Sequence, residues 1–452
     1  MDRIPKPDQV VSAASNVAQK VLYGGLADLR PMPRTLIDEG ELREVYHYRP
    51  VAKVKEQGDP VLLVTPLAAP SICYDLRRGC SVAEHLVTSG RPTYLVEYGE
   101  VSFKNRNLGM EHWIEEVVPT AIREVSAHAG GRPVHVVGWS LGGIFSLLTT
   151  ADGPDLPIAS LTVVGSPFDV SLVPLVAPLR PLLNLGLTLG GGKGAITRTY
   201  QLMGGAPKPL VKWAFQLSSF QKLVTKPLAV ATHLDDADFL AQIEAVDRFT
   251  ANMIAYPGRT FGQLYHRFVK ANALKGGTFE LDDRTIDIGS IKVPVLVFAG
   301  ATDGIAPVAA VKAVTPLLKG SREVRFEIVP GGHLGMLTGR AARGTTWTVL
   351  DEWIDQWSTD AQAEEPAGTT SATKRPAKAA AKANSTKAKG TKPKAAGGSS
   401  TKAKGTKPKA AGGSSTKAAA PRTPAAEAAS KDAIGANPSR RYSSQGSRSL
   451  AR

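Results

Sequence analysis

Cysteine, long apolar runs and acidic residues near the carboxyl terminus are all scarce in this sequence, and each scarcity removes a class of protein. Two cysteines in 452 residues, Cys73 and Cys80, are too few for a disulfide scaffold and too few for a structural zinc site without several nearby histidines. No run of eighteen apolar residues occurs, which excludes a hydrophobic spanning helix. The opening MDRIPKPDQVVSAASNVAQKV lacks the basic region and apolar stretch of a secretory signal. A reducing, cytoplasmic setting is therefore expected.

What is present is charge, unevenly placed. From Thr359 to Arg452 there are 19 basic and 5 acidic residues, a net of +14, whereas residues 1–358 hold 36 against 35. The overall +15 belongs to the tail. Its large apolar or aromatic residues are Ile434, Tyr442 and Leu450, too few to bury a core, so a disordered tail is expected. Within it STKAKGTKPKAAGGS fills 385–399 and repeats unchanged at 400–414. A unit so short and polar reads as duplicated linker. Lysines without interleaved aromatics would meet an anionic partner through charge alone, which fits an anionic lipid or storage-inclusion surface, or less favourably nucleic acid. A solubilising extension is the plainer alternative.

The spacing predicts an N-terminal arm over 1–42, a catalytic domain over 43–358 and the tail over 359–452. Within the domain, short apolar runs alternate with helical patterns: REVYHY (43–48), VLLVT (61–65), TYLVE (93–97), VHVVG (134–138), LTVVG (161–165), PVLVFA (294–299) and VRFEI (324–328). Runs of this kind suit strands covered on both faces. Between the third and fourth, Trp113, Val117, Ala121 and Val125 form one helical stripe, as a βαβ crossover needs. A last helix is expected to pack through Trp347, Leu350, Ile354 and Trp357. The fold class is α/β, with a mainly parallel, doubly wound sheet.

About 166–290 an insertion breaks the rhythm. Residues 170–189 are apolar but carry Pro174, Pro178, Pro181 and Arg180, which forbid a regular spanning helix. Residues 235–275 read as helical, with Phe239, Ile243 and Val246 on one face. A lid over an acyl pocket and extra packing helices both fit. The glycine cluster at 189–195 lacks phosphate-loop spacing and reads as a hinge.

VHVVG runs into Trp139, Ser140, Leu141, Gly142, Gly143 and an apolar helical stretch. This is G-x-S-x-G in the strand, turn, helix setting where it makes a nucleophile elbow. Ser140 is thus the candidate nucleophile, and the Leu141 N–H, opening a helix, a candidate oxyanion donor. Of eight histidines, His333 follows VRFEI in the turn PGGHLG, at the carboxyl end of the sheet, where it could serve as base. Asp303, just past PVLVFA, is the candidate acid, with Asp169 after LTVVG as the second choice and a loop cap as its plainer role. In the loop PLAAP, Leu67 or Ala68 is the second oxyanion candidate, since Pro66 has no N–H. No cofactor or metal is implied. The order Ser140, Asp303, His333 is that of an α/β-hydrolase triad.

Residues 60–357 resemble the catalytic domain of polyhydroxyalkanoate synthases, through PLAAPSICYDLRRGCSVAEHL, GWSLGG, GSPFDV, KGGTFELDDRTIDIGSIKVPVL, TDGIAP and PGGHLGMLTGR. The resemblance implies Ser140 as nucleophile position, Asp303 as acid and His333 as base. It departs at one residue, because those synthases carry Cys where Ser140 stands. A thiolate exchanges acyl thioesters readily and a serine forms a less activated oxyester. Hydrolysis or transfer of acyl groups from lipid-like or polyester esters and thioesters is therefore the expected activity, and polymerisation of hydroxyacyl-CoA the alternative. GLADLRPMPRTLIDEG resembles the lipase-like half of actinobacterial acyl-CoA synthetase fusions. A reading from another class makes the domain an idle scaffold for the tail.

Overall fold

The computed structural model describes residues 6–174, 205–209, 211, 220–281 and 283–359. By its contacts the chain divides into Met1–Ser371 and Ala372–Arg452. The basic tail and its repeat lie outside the described residues, as do the proline-broken run from residue 175 onward and the glycine cluster at 189–195.

Eight strands form one sheet: β1 (Arg34–Gly40), β2 (Arg43–Tyr48), β3 (Val61–Val64), β4 (Thr93–Glu97), β5 (Val134–Trp139), β6 (Ile158–Val164), β7 (Val295–Gly300) and β8 (Val324–Val329). Their spatial order is β1-β2-β4-β3-β5-β6-β7-β8. β2 pairs antiparallel with β1 and β4, and every other neighbouring pair is parallel. The central strands are Val- and Leu-rich because both faces are covered. In β3, Leu62 and Val64 join the core on one face while Val61 and Leu63 join it on the other, the period-two alternation of a strand. The first core takes in helices α3 (Val118–His128) and α4 (Leu141–Asp152), and the second takes in α2 (Val82–Thr88) and α6 (Thr346–Trp357). An α/β hydrolase architecture results: a mostly parallel sheet between two helical layers.

Three features differ from the sequence expectation. β1 lies within the stretch read as an arm, because its polar, half-exposed residues carry no apolar alternation. β8 is an edge strand whose Ile328 is 56% exposed, so VRFEI is not covered on both faces. Helix α5 (Ala237–Ala251) buries Leu240, Ala241, Ala245 and Phe249 rather than the face of Phe239, Ile243 and Val246. Asp236 caps this helix by accepting from the Phe239 N–H, and the buried face includes Phe249, which packs on Trp139. In α6, Trp353 is buried together with Trp347, Leu350 and Ile354, and Trp357 is half-buried.

Candidate active site

β5 and α4 meet at a turn that holds Ser140 at φ 55 and ψ −122, a conformation a residue with a Cβ adopts only under constraint. The constraint is visible in the bonding. The Ser140 N–H donates to the Val164 carbonyl at 2.8 Å, and its own carbonyl accepts from the Ser166 hydroxyl at 2.5 Å and the Gly143 N–H at 3.1 Å. Both glycines of the motif are required by close approach. A Cβ on Gly138 would sit 2.6 Å from the Gly143 Cα, and one on Gly142 would press on the Val64 carbonyl oxygen.

The strand order brings the other residues to the same end of the sheet. Asp303 follows β7 and His333 follows β8, both in loops at the carboxyl ends of the two strands that succeed β5 and β6 in the sheet order. His333 Nε2 lies 2.9 Å from Ser140 Oγ, and His333 Nδ1 lies 2.8 Å from Asp303 Oδ2. The other carboxylate oxygen, Oδ1, accepts from the N–H groups of Ile305 at 2.8 Å and Ala306 at 2.9 Å. That leaves Oδ2 aimed at the ring. His333 and Asp303 are both buried, so the imidazole is held between a fixed carboxylate and the serine hydroxyl. Such a chain can pass the hydroxyl proton to the ring and stabilise the imidazolium that forms.

Leu141 is the first residue of α4, so its N–H has no acceptor within the helix. Val64 pairs with Gly138, which places the loop after β3 beside the elbow. Among the described residues, no acceptor meets the N–H of Leu67 or Ala68, and Ala68 stands at φ 65 with its carbonyl bonded by the Ile254 N–H at 2.9 Å. The three oxyanion candidates thus flank the elbow.

Asp169 is placed elsewhere. Its Oδ1 accepts from the Ser171 N–H at 3.0 Å, from the Ser171 hydroxyl and from Asn272 Nδ2 at 2.7 Å, and Lys275 Nζ lies 3.1 Å from Oδ2. Burial raises this carboxyl, but the bonds from Ser171, Asn272 and Lys275 outweigh it and hold the pKa down at about 2. The Val170 N–H in turn donates to Asn272 Oδ1 at 2.9 Å. Asp169 therefore closes the base of the insertion, joining its first residues to Asn272 and Lys275 near its end. Four other histidines are engaged elsewhere: His47 pairs with Glu56, His85 with Asp351, His128 with Tyr94 and His135 with Ser160.

Cys73 and Cys80 are buried free thiols, and burial pushes Cys73 well above the usual thiol range. Among the described residues no group of three or more His, Cys, Asp or Glu side chains is placed to hold a metal ion. Two neighbours of the elbow support it. Trp139, whose place beside the nucleophile in sequence already set it apart from the other tryptophans, donates from its indole N–H to the His333 carbonyl at 3.0 Å. Ser166, which sequence reasoning missed as a site residue, bonds the Ser140 carbonyl, and its position two residues past β6, beside the elbow strand, was the one available signal.

Residues 58–343 match the model of the alpha/beta hydrolase family. The poly(3-hydroxyalkanoate) polymerase subunit PhaC of Haloferax mediterranei is 23% identical over 389 residues, covering 85% of this chain and 75% of its own length. That of Thiocystis violacea is 23% identical over 341 residues, covering 75% of this chain and 93% of its own. Among solved structures, a highly thermostable carboxyl esterase from Bacillus coagulans is similar at a TM-score of 0.44 and 15% identity, over 73% of this chain and 99% of the esterase.

Proposed function

The chain belongs to the alpha/beta hydrolase family, and within it we propose that it is a serine-nucleophile acyl-transfer enzyme. The observation that carries this reading is the hydrogen-bonded run from Ser140 Oγ through His333 to Asp303, built on an elbow at φ 55. Ser140 attacks the carbonyl carbon of an ester or thioester while His333 Nε2 takes its proton. The N–H groups of Leu141 and of Leu67 or Ala68 meet the developing oxyanion. Collapse of that intermediate breaks the bond to the leaving alcohol or thiol, to which His333 returns the proton. Water or an alcohol then resolves the acyl-enzyme by the same steps in reverse order, and Asp303 keeps the ring in the required tautomer throughout.

Lipid-like or polyester acyl groups are the proposed substrates, supported by similarity to the PhaC polymerase subunits and by the apolar character of residues 170–189. That similarity, spanning 85% of this chain for the Haloferax protein, also favours a second reading, chain growth from hydroxyacyl-CoA with Ser140 in the acyl-carrying role. One experiment tests both. Purified protein and Ser140→Ala are incubated with a lipid ester and, separately, with a hydroxyacyl-CoA, and free acid and polymer are measured. Acid release that depends on Ser140 supports hydrolysis, and polymer that depends on Ser140 supports the second reading. Formation of neither acid nor polymer by folded protein would contradict the proposal.

Among the described residues no helix is long and apolar enough to cross a membrane. We assign the tail's net +14 to loose attachment at an anionic lipid or inclusion surface in the cytoplasm. Removal of residues after Ser371 should then leave turnover of a soluble ester unchanged and weaken binding to anionic vesicles, less so as salt rises. Preferential binding of the tail to DNA would transfer it to nucleic acid.

A further inference from the structure

The residue ahead of the elbow serine touches the base directly. Trp139 closes β5, pairs with Val164 of β6 and is 1% exposed. Its indole Nε1 donates to the His333 main-chain carbonyl at 3.0 Å, and the two rings lie 5.1 Å apart. The loop carrying the imidazole is thereby tied to the strand carrying the hydroxyl through a bond separate from the one between imidazole and hydroxyl. On its other side Trp139 meets Phe249 of α5, with ring centroids 6.0 Å apart. The start of α5 is itself tied down: Arg77 bonds Asp238 at 2.7 Å and Arg340 bonds Asp236 at 2.7 Å. Trp139 therefore stands between a helix of the insertion and the base.

We infer that Trp139 is a positioning residue, whose N–H fixes the His333 main chain so that Nε2 keeps hydrogen-bond reach of Ser140 Oγ, with α5 acting on the site through Phe249. The inference rests on Ser140 being the nucleophile. His333 changes partners during turnover: Nε2 takes the serine proton and then turns it to a leaving group or a water, while Nδ1 must stay on Asp303. A shift of the main chain at His333 carries the whole ring with it, so a carbonyl bonded to a strand limits the error. Misplacing a reacting group by about 1 Å can cost about 10²-fold in rate, and loosening one hydrogen bond to a loop that has other supports should cost about tenfold. Substrate contacts are untouched, so the loss belongs to kcat and not to KM.

The test uses the full chain, Trp139→Phe and Phe249→Leu, with a soluble p-nitrophenyl ester as substrate and a fluorophosphonate as titrant of reactive sites. Trp139→Phe keeps a ring in the same space but has no N–H to give. It should show kcat per titrated site about tenfold lower, a fluorophosphonate rate constant lowered by a similar factor, an unchanged KM and the wild-type number of titrated sites. Phe249→Leu should show the same pattern with a smaller loss. A purely structural role would reduce the number of titrated sites and leave each remaining site at the wild-type rate, and that result overturns the inference. Should Trp139→Phe not fold, Phe249→Leu decides: a per-site loss of about twofold or more supports the coupling, and a wild-type rate overturns it. A folded wild-type chain that takes up no fluorophosphonate overturns the reading of Ser140 and this inference with it, which differs from normal labelling with an unaltered Trp139→Phe.

Discussion

The two ends of the sheet each hold a buried histidine against a serine hydroxyl, and only one of the two has the surroundings that the proposed chemistry needs. Near the amino end, His135 Nδ1 lies 2.8 Å from Ser160 Oγ; at the carboxyl end, His333 Nε2 lies 2.9 Å from Ser140 Oγ. Distance does not separate them. The second nitrogen does: His333 has Asp303 at 2.8 Å, whereas His135 has the Ser358 hydroxyl at 3.5 Å. The serine backbone does as well, since Ser160 lies within β6 and Ser140 stands at φ 55. Burial pushes His135 down to about 4, against a smaller upward pull from Asp59 and with Arg91 adding to the fall, so its ring is neutral and weakly basic at neutral pH. A serine and a histidine in contact are therefore common structural material. A carboxylate on the far nitrogen and an elbow at the serine are what the proposed nucleophile and base require beyond that contact.

The sharpest way to break the comparison is to remove each serine. Ser140→Ala should lower turnover of a soluble ester by about 10⁶-fold, and Ser160→Ala should leave turnover per folded molecule unchanged; equal losses would erase the distinction. The acids come next. Asp303→Asn should cost about 10⁴-fold in kcat with folding intact, while Asp169→Asn should leave kcat alone, and the reverse pattern would move the acid to Asp169. The neutral His135 has its own signature. Between about pH 6.5 and 4 an unfolded chain protonates this imidazole and the folded chain does not, so the unfolded state binds more protons and stability falls as pH drops through that window. Above 6.5 both forms are neutral and the contribution is constant. At about 1.4 kcal/mol for each pH unit of the window, the loss by pH 4 approaches about 3 kcal/mol, and urea unfolding of His135→Asn should show a shallower pH slope than wild type. Identical slopes would contradict the assignment. The smallest effect is expected at the base of the insertion, where Asp169→Asn weakens the bonds to Ser171, Asn272 and Lys275. A destabilisation of about 1–3 kcal/mol, read as a lower Tm, is the expected result, and an unchanged Tm would show that the link is not needed.

The parts of this molecule legible in sequence are those set by local pattern. Seven strands are announced by apolar runs, and the turn at Ser140 by two glycines that close packing against Gly143 and Val64 demands. Asp303 and His333 are legible because each follows such a run in a glycine-containing loop, which a parallel sheet gathers at one end. What depends on neighbours distant in sequence is not legible. β1 is a polar edge strand recruited by its hairpin with β2. The buried face of α5 is chosen by contacts that include Trp139, and the bonds from Ser166 to Ser140 and from Trp139 to His333 join residues 26 and 194 positions apart. The separation of His333 from His135 belongs half to each class: the loop is visible in sequence, but the missing carboxylate at His135 is a fact of packing.

The central claim is that Ser140, and not another serine, is the reactive hydroxyl. It is tested most directly by treating the full chain with a fluorophosphonate and locating the adduct by peptide mass spectrometry. A single stoichiometric adduct on Ser140, absent from Ser140→Ala and retained in Ser160→Ala, is the predicted result. An adduct on a different residue, or none on protein that unfolds cooperatively, would contradict it.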